Sequence, residues 1–304
     1  MYMKILVTGG TGFIGAALIH QLRDHDITVL SRDPAKASLS LGEPVKAITT
    51  LDQLENLNDF DAVINLAGEP IINKRWTARQ KDTICRSRWG ITQQLVEKIK
   101  ASEQPPHTFI SGSAVGIYGN QHDNVIDEDF AIEHVSRHDF AHHVCQRWEH
   151  IASDAASEAT RVCLLRTGIV LGRHGGALAK MLLPYQFGLG GPIGSGKQYT
   201  PWIHLDDMVN AIVFLLNTPS AHGAFNMTAP EPVTNKVFSQ ALAHALHRPH
   251  FLFTPAFALK LALGEAASLL LEGQNAIPAK LEAAGYTFQH RDINEALQDI
   301  LRHA

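Results

Sequence analysis

The sequence is poor in cysteine and has no long apolar run. Its three cysteines, Cys85, Cys145 and Cys163, are widely spaced and odd in number. They form no CxxC metal or redox motif and are typical of free thiols in a reducing compartment. No uncharged apolar stretch approaches the roughly 18 residues of a membrane-spanning helix, and the first residues do not resemble an export signal. We therefore expect a soluble, cytoplasmic protein.

Positive charge is also in short supply. The chain has 26 Lys and Arg residues against 30 Asp and Glu, a net charge of −4. Because no long run of Lys or Arg is present, the charge predicts neither a nucleic-acid nor a membrane-surface partner. The length of 304 residues is enough for one large domain with a sizeable core and a smaller second domain.

Short β-branched runs alternate with longer helical patterns, which is typical of a parallel sheet covered by helices. The run Ala62-Val63-Ile64-Asn65-Leu66 is apolar nearly throughout, as expected of a central strand buried on both faces. Ser136 and Asp139 resemble an N-cap pair. Strands are predicted at 4–8, 27–31, 45–49, 62–66, 107–111, 161–165 and 224–227. Helices are predicted at 12–24, 78–100, 137–157 and 205–217.

A glycine-rich segment follows the first predicted strand directly and precedes a helix. Its glycines give the pattern GxxGxxG, which allows a tight turn, a close approach of backbone to a pyrophosphate and close packing of helix on strand. The N-terminus of the helix then offers N–H groups and a positive dipole end to phosphates. We predict a Rossmann-type, doubly wound α/β fold that binds a dinucleotide through Gly9, Thr11, Gly12, Phe13, Ile14 and Gly15.

The end of the second strand indicates which dinucleotide is bound. An NAD site needs a carboxylate there for the ribose 2′-hydroxyl, whereas this sequence has Ser31 and Arg32, which can hold a 2′-phosphate. Asp33 is the alternative as an NAD carboxylate, although the pattern Arg32-Asp33-Pro34 favours a turn. Arg32 could also be a solvated surface charge. The pattern predicts NADP as the cofactor.

After Pro230 the pattern changes to helices separated by proline and glycine, with strand signal only at Tyr286-Thr287-Phe288. We interpret residues 1–230 as the dinucleotide-binding domain and residues 231–304 as a small, mostly helical C-terminal domain that closes a cleft over the nicotinamide. Residues 172–203, rich in glycine and proline, are expected to contribute to this substrate lobe.

Several motifs resemble those of the extended short-chain dehydrogenase/reductases, namely residues 7–15, 65–68 and 110–119. Others resemble the atypical, epimerase-like branch of that superfamily, which carries a C-terminal domain of unknown function. These are Gly68-Glu69-Pro70, Lys74-Arg75-Trp76, Ser87-Arg88-Trp89, Trp148-Glu149 and residues 188–196 and 201–204. The resemblance covers essentially the whole chain.

The resemblance implies further site residues. Leu66, Ala67 and Gly68 would form the turn beside the adenine-side ribose, and Arg88 would face the cofactor. A solvent-exposed salt bridge is the alternative for Arg88. Ser113 matches the catalytic serine at the end of the fifth strand. The segment from Thr167 to Val170 matches the one that packs beside the nicotinamide.

The sequence departs from the superfamily at the catalytic helix. If Glu149 is aligned with the glutamate that often follows the Tyr-x-x-x-Lys pair, the tyrosine falls on Ala141 and the lysine on Cys145, and no Tyr-x-x-x-Lys occurs elsewhere. The usual proton relay is therefore missing. His142 or Tyr118 could serve as the acid or base, or each could be a structural residue.

Two further patterns are rejected, and one substrate contact is missing. Residues 191–197 resemble a P-loop, but Gln198 cannot supply the Mg²⁺-binding hydroxyl.

Histidines 134, 138 and 142 have helical spacing, yet we expect no metal there. Thr200 stands where sugar-nucleotide epimerases usually carry an arginine that grips the substrate diphosphate.

The sequence thus predicts an NADP(H)-dependent oxidoreductase or epimerase-like enzyme that acts on an unknown small molecule. The alternative is a non-enzymatic NADPH-binding sensor or regulatory protein. The oligomeric state stays open, with a homodimer as one option.

Overall fold

The computed structural model describes residues 2–42, 45–136 and 138–302. Its strands are β1 (Lys4–Thr8), β2 (Asp26–Leu30), β3 (Lys46–Ile48), β4 (Ala62–Asn65), β5 (Thr108–Ala114), β6 (Val125–Ile126), β7 (Arg161–Thr167), β8 (Ile169–Leu171), β9 (Tyr199–Thr200), β10 (Trp202–His204), β11 (Gly223–Met227), β12 (Val233–Thr234) and β13 (Asn275–Ala276). Its α-helices are α1 (Phe13–Gln21), α2 (Pro34–Leu41), α3 (Ala78–Lys100), α4 (Phe140–Ser153), α5 (Gly176–Gln186), α6 (Leu205–Asn217), α7 (Asn235–Ala245), α8 (Ala256–Leu263), α9 (Ser268–Leu271), α10 (Ala279–Ala283) and α11 (Ile293–Arg302).

Seven parallel strands form the main sheet, in the order β3-β2-β1-β4-β5-β7-β11. The chain builds from β1 toward β3, then returns to the other side of β1 and builds toward β11. Such a reversal is the switch point of a doubly wound sheet, and ligands bind beyond the carboxyl ends of its strands. The predicted fold class is confirmed, and the switch point falls at the ends of β1 and β4.

Side chains that alternate between the two faces of the sheet form two core layers. Ile5 and Val7 of β1 pack in one cluster with residues of α1 and α6, whereas Leu6 packs in the other with residues of α3 and α4. All residues of β4 are buried. Side chains at successive strand positions point to opposite faces, so helices on both sides require apolar residues at every position of a central strand.

Each predicted strand and helix is present, and four differ in their bounds by more than one residue. The helix predicted at 12–24 ends at Gln21, and the strand predicted at 161–165 continues to Thr167. The strand predicted at 107–111 continues to Ala114. The helix predicted at 137–157 spans only Phe140–Ser153, and Asp139 caps it by accepting the N–H of His142 at 3.1 Å. The predicted cap role of Ser136 is wrong, because its hydroxyl accepts the N–H of His138 outside the helix. Arg137 lies outside the described residues.

The second lobe combines two distant parts of the chain. Leu178, Tyr185 and Trp202 share one core cluster with Phe238 and Leu297. The short strands β8 and β10 pair in parallel beside the main sheet and were not predicted, since three residues give no clear alternation. The proposed domain division at residue 230 stays a prediction.

The strand signal at Tyr286-Thr287-Phe288 is wrong. This segment pairs with no other strand among the described residues. Its aromatic side chains dock the chain instead: Phe288 is buried against the main sheet's core, and the Tyr286 hydroxyl donates to Asp207 Oδ1 at 2.9 Å. Within the same ranges, no helix has the length and apolar character needed to cross a bilayer.

Candidate dinucleotide site and adjoining polar network

Glycine is required at two positions of this segment, one in the turn between β1 and α1 and one in the first turn of α1. Gly9 has a φ of +72°, and a Cβ atom there would lie 2.5 Å from the carbonyl oxygen of Leu66. A Cβ atom on Gly15 would lie 2.3 Å from the carbonyl oxygen of Gly9. Gly12 differs, because the nearest atom to its added Cβ is the same carbonyl oxygen at 3.1 Å. The loop is therefore packed tightly on the protein side and open on its outer side at Gly12.

The N-terminus of α1 lacks internal hydrogen-bond partners. Gly12 is the N-cap residue, makes no side-chain cap bond and has no acidic residue after it in the first turn. The first N–H groups of α1, at Phe13 and Ile14, are thus left for an external acceptor. The Phe13 ring packs against the glycine turn at 172–176, and Thr11 is exposed at the rim. An open cradle with free donors fits a pyrophosphate.

The carboxyl end of β2 places Ser31 and Arg32 at the same edge of the sheet as this loop. The Ser31 hydroxyl accepts the N–H of Asp33 at 3.3 Å, and the Asp33 carbonyl accepts the N–H of Ala37 at 3.0 Å. Asp33 therefore belongs to the turn that opens α2, as the Arg32-Asp33-Pro34 pattern indicated. Arg32 is exposed.

The turn after β4 is covered by Arg88. A Cβ atom on Gly68 would lie 3.1 Å from the Arg88 guanidinium carbon, while Leu66 and Ala67 abut Gly9. Arg88 donates to the carbonyl oxygen of Glu69 at 3.0 Å, and its guanidinium lies 5.3 Å from the Trp148 ring centre.

Burial lowers the pKa of Arg88. In the part of the chain that the structure describes, its guanidinium donates to the carbonyl oxygens of Ile84 and Glu69 and to the Ser87 hydroxyl. The Trp148 indole lies beside it. The exposed salt bridge considered for Arg88 is therefore wrong.

Ser113 belongs to a buried chain of polar side chains. Its hydroxyl donates to Glu149 Oε1 at 2.6 Å, and Arg166 donates to both oxygens of the same carboxylate at 2.9 and 3.0 Å. Arg166 also donates to the Tyr118 hydroxyl at 2.9 Å, which in turn donates to Asn226 Oδ1 at 2.7 Å. Because its proton is directed to Glu149, the Ser113 oxygen is left with its lone pairs for a hydrogen bond from a ligand hydroxyl.

The hydrogen bonds of this polar network keep the Arg166 guanidinium protonated. Burial lowers its pKa, but the hydrogen bonds and charge of Glu149 outweigh burial, so the pKa lies above its ordinary value. Both partners of the ion pair are more than nine-tenths buried. The pair therefore orders the carboxyl end of β5 against α4 and β7.

Tyr118 and His142 are both bound within the protein. Tyr118 is fully buried, and burial, partly offset by Arg166, raises its pKa to about 12. His142 is buried, and its Nδ1 lies 2.5 Å from the carbonyl oxygen of Ile117. A carbonyl can only accept, so Nδ1 carries a proton there. Their suggested acid–base roles stay predictions, and these bonds favour the structural alternative.

Ala141 and Cys145, where the alignment places the catalytic tyrosine and lysine, are buried on α4. Burial raises the pKa of the Cys145 thiol to about 12, so it is protonated at neutral pH. Neither side chain can relay a proton.

The segment after β7 borders the same edge of the sheet. Thr167 pairs in register with Ala114, and the Val170 side chain lies in the main core. Thr200 is buried and pairs with Val233. The suggested nicotinamide contacts of Thr167 and Val170 stay predictions.

Three potential metal ligands meet elsewhere, at the start of α6. Ligand atoms of His204, His290 and Asp299 lie within 4.8 Å of one another. However, His204 Nδ1 accepts the N–H of Asp206 at 3.0 Å, so the neutral ring carries its proton on Nε2, the nitrogen that faces Asp299. A protonated Nε2 has no lone pair for a metal, so this arrangement does not form a metal site. Histidine 134 lies in a separate 3₁₀ turn and does not share a helix with His142.

Sequence reasoning missed Glu149 and Arg166 as a unit. In the sequence, Glu149 only marks the alignment of α4, and Arg166, directly after the strand predicted at 161–165, has no predicted role. A signal was present, because Arg166 continues the apolar run Val162 to Leu165. A charged residue in a buried strand requires a partner.

The fold and this site define a protein of the doubly wound α/β class with an open phosphate-binding loop at the switch point of its sheet. A family model described as "NAD dependent epimerase/dehydratase family" matches residues 5–228. A second, described as "Domain of unknown function (DUF1731)", matches residues 254–300. The chain belongs to the NAD dependent epimerase/dehydratase family and carries a DUF1731 domain at its C-terminal end.

Individual proteins agree with this assignment. An epimerase family protein of Staphylococcus haemolyticus is 37% identical over 303 residues, which are 98% of this chain and 99% of that protein. The crystal structure of human epimerase family protein SDR39U1 (isoform 2) with NADPH is 36% identical with a TM-score of 0.90, covering 99% of this chain and 100% of that chain.

A more distant structure shares the fold alone. The UDP-glucuronic acid 4-epimerase from Bacillus cereus, in complex with UDP-glucuronic acid and NAD, is 19% identical with a TM-score of 0.76. The match covers 99% of each chain. The family models and the relatives of 37% and 36% identity confirm the resemblance drawn from the motifs.

Proposed function

We propose that this chain is an NADP(H)-dependent oxidoreductase or epimerase-like enzyme that acts on a small molecule. The observation that carries the proposal is the open cradle at Gly12, with Ser31 and Arg32 at the neighbouring strand end. When bound, the nicotinamide supplies a hydride donor or acceptor. The three buried free cysteines fit a reducing compartment, and a cytoplasmic location stays a prediction.

Arg32 supports NADP(H) over NAD(H). A guanidinium binds a 2′-phosphate through two parallel hydrogen bonds, and Asp33, the residue that could have bound a 2′-hydroxyl instead, has its backbone in the turn that opens α2. The human relative with 36% identity binds NADPH in its crystal structure.

We expect NADPH to bind at least about tenfold more tightly than NADH, a difference of about 1.4 kcal/mol. Replacing Arg32 by alanine should remove most of this preference and leave NADH affinity nearly unchanged, since only the 2′-phosphate contact is lost. Fluorescence titration of both nucleotides measures the two affinities. Arg86→Ala, which removes an exposed arginine of α3, is the matched control and should keep the preference. Equal affinities in the unaltered protein would contradict the NADP assignment.

Ser113 supports an enzymatic role because it lies at the carboxyl end of β5, the edge of the sheet at which ligands of doubly wound folds bind. With its proton held by Glu149, its oxygen can accept a hydrogen bond from a substrate hydroxyl and orient it. Such a contact suits the alcohol form of an alcohol–carbonyl pair. A time course of NADPH absorbance against a panel of aldehydes, ketones and quinones tests for turnover.

A second function, a non-enzymatic NADPH sensor or regulatory protein, is favoured by α4. Ala141 and Cys145 cannot relay a proton, and the Tyr118 hydroxyl is held by Arg166 and Asn226. NADPH binding without oxidation by any member of the carbonyl panel would favour the sensor, whereas oxidation of NADPH that depends on Ser113 would favour the enzyme.

We expect no epimerase activity on UDP- or GDP-sugars. Such epimerisation needs a base to take the hydroxyl proton as hydride leaves, and loss of that group typically lowers the rate by about 10²- to 10⁴-fold. Thr200 also cannot supply the charged hydrogen bond of an arginine to a diphosphate. Purified protein with NADP⁺ is incubated with UDP-glucose, UDP-galactose and GDP-mannose, and the sugars are separated by chromatography. Turnover of about 1 per second or faster would show that the alignment of α4 is wrong.

A further inference from the structure

Exposed apolar side chains are concentrated in two segments of the second lobe. Eight of the twelve exposed large hydrophobic side chains of the described residues belong to them. Seven of these eight are between 61% and 77% exposed, and no residue of α8 is buried. The surface formed by these eight side chains is called the basic apolar face, because basic residues lie beside it. Its members are Leu183, Phe187, Leu189, Phe251, Leu252, Phe253, Phe257 and Leu261.

Backbone contacts make these two segments neighbours. The Thr254 N–H donates to the carbonyl oxygen of Pro192 at 2.9 Å, and the Gly194 N–H donates to the carbonyl oxygen of Thr254 at 2.8 Å. Gly191 packs so closely that an added Cβ would lie 1.8 Å from the carbonyl oxygen of Leu252. The exposed end of α5, the loop before α8 and α8 itself therefore adjoin.

The charge on these parts of the chain has one sign. Residues 173–205 and 232–264 contain no Asp or Glu, although the whole chain has a net charge of −4. The nearest carboxylates along the chain after α8 are Glu265, which is bound by Lys81 at 2.7 Å, and Glu272, whose charge interacts with Lys260. The Lys and Arg residues within 173–205 and 232–264 are Arg173, Lys180, Lys197, Lys236, Arg248 and Lys260.

Several of these basic residues lie beside the exposed apolar side chains. Lys180, whose Nζ donates to Asn73 Oδ1, precedes Leu183 on the exposed side of α5, and Phe187 follows the last residue of that helix. Lys260 adjoins Leu261 on α8. Arg248 directly precedes the loop that carries Phe251. A soluble partner with an apolar surface would explain the exposed phenylalanines and leucines but not the lack of Asp and Glu in the two stretches of chain that carry them.

We propose that the basic apolar face binds the surface of an anionic membrane. Phenylalanine and leucine side chains insert at the boundary of headgroups and acyl chains, while lysine and arginine attract anionic lipids. This is a peripheral contact and needs no spanning helix. It is independent of the proposed function, because no cofactor enters the argument. The proposal also revises the expectation that the chain has no membrane-surface partner. That expectation used the net charge of the whole chain, which conceals the positive charge of these two stretches.

The test is cosedimentation of the full chain with vesicles, either of phosphatidylcholine alone or of equal parts phosphatidylcholine and phosphatidylglycerol. We expect binding to the mixed vesicles, much weaker binding to the neutral ones, and loss of binding when salt rises from about 0.1 M to about 1 M, which shortens the screening length from about 10 Å to about 3 Å.

Variants separate the two contributions. The combined change Phe187→Ser, Phe253→Ser and Phe257→Ser should weaken binding to mixed vesicles at least about tenfold. Lys180→Gln and Lys260→Gln should each weaken it by about fivefold. Matched controls are Tyr2→Ser with Leu39→Ser, which are 68% and 88% exposed elsewhere, and Lys100→Gln on α3. Circular dichroism verifies folding.

Three results would overturn the proposal. The first is no binding to mixed vesicles, and the second is equal binding to both vesicle types at either salt concentration. The third is a soluble dimer in sedimentation velocity that is dissociated by the triple serine substitution, while vesicles bind no protein. The last result would assign the face to a second copy of this chain.

Discussion

Replacing Gly12 by valine is expected to lower NADPH affinity by at least about 100-fold, or about 2.7 kcal/mol, while the protein stays folded. The backbone at Gly12 is extended, with a φ of −77°, so a side chain causes no backbone strain. Its added Cβ meets only the Gly9 carbonyl oxygen, at 3.1 Å. The side chain would instead fill the outer side of the loop, where a pyrophosphate must approach the backbone.

Two other glycines serve as controls. Gly90→Ala lies on α3, where an added Cβ meets nothing within 4 Å, and should keep full affinity while raising stability by about 1 kcal/mol. Gly15→Val should lose both affinity and stability, because its Cβ would overlap the Gly9 carbonyl. Isothermal titration with NADPH and circular dichroism give the two readouts. A folded Gly12→Val protein with normal affinity would place the phosphate site elsewhere.

Replacing Arg166 by methionine should lower the free energy of unfolding by about 3–5 kcal/mol, because it leaves the Glu149 carboxylate buried without its partner. The Tyr118 hydroxyl would lose a hydrogen bond as well. Urea unfolding followed by circular dichroism measures the change. Arg86→Ala breaks an exposed ion pair with Asp82 and should cost under about 0.5 kcal/mol.

A double variant checks that the cost comes from the unpaired carboxylate. Arg166→Met combined with Glu149→Leu replaces the pair by apolar side chains of similar size and should recover at least half of the lost stability. If the double variant is less stable than Arg166→Met alone, the cost arises from packing around Arg166 and the interpretation of the pair is wrong.

The parts of the fold that sequence predicted well depend on contiguous residues. The strand-glycine-helix unit at residues 4–21 and the helix at 78–100 are encoded by spacing within one segment: glycines three residues apart, or apolar residues at the helical period. Thr77, directly before α3, accepts the N–H of Gln80 and fixes where that helix begins. Local patterns of this kind need no knowledge of partners.

The signals that failed depend on partners from elsewhere in the chain. Tyr286 and Phe288 alternate as in a strand, yet Asp207 and the main core hold them as an irregular segment. The short strands β8 and β10 form because each finds the other across 30 residues of intervening chain. Their three residues carry too little local pattern to predict either one.

By itself, the sequence determined the doubly wound sheet, the glycine loop and the position of Ser31 and Arg32 beside it. Only the tertiary structure decided that Ser113 donates to Glu149 and that the second lobe presents a basic apolar face. Phe238 and Phe253 show why: the first is 2% exposed and the second 65%, although both lie in the same stretch of chain without Asp or Glu. Burial and pairing depend on which distant segments meet, and that information is spread over the whole chain rather than held in any one segment.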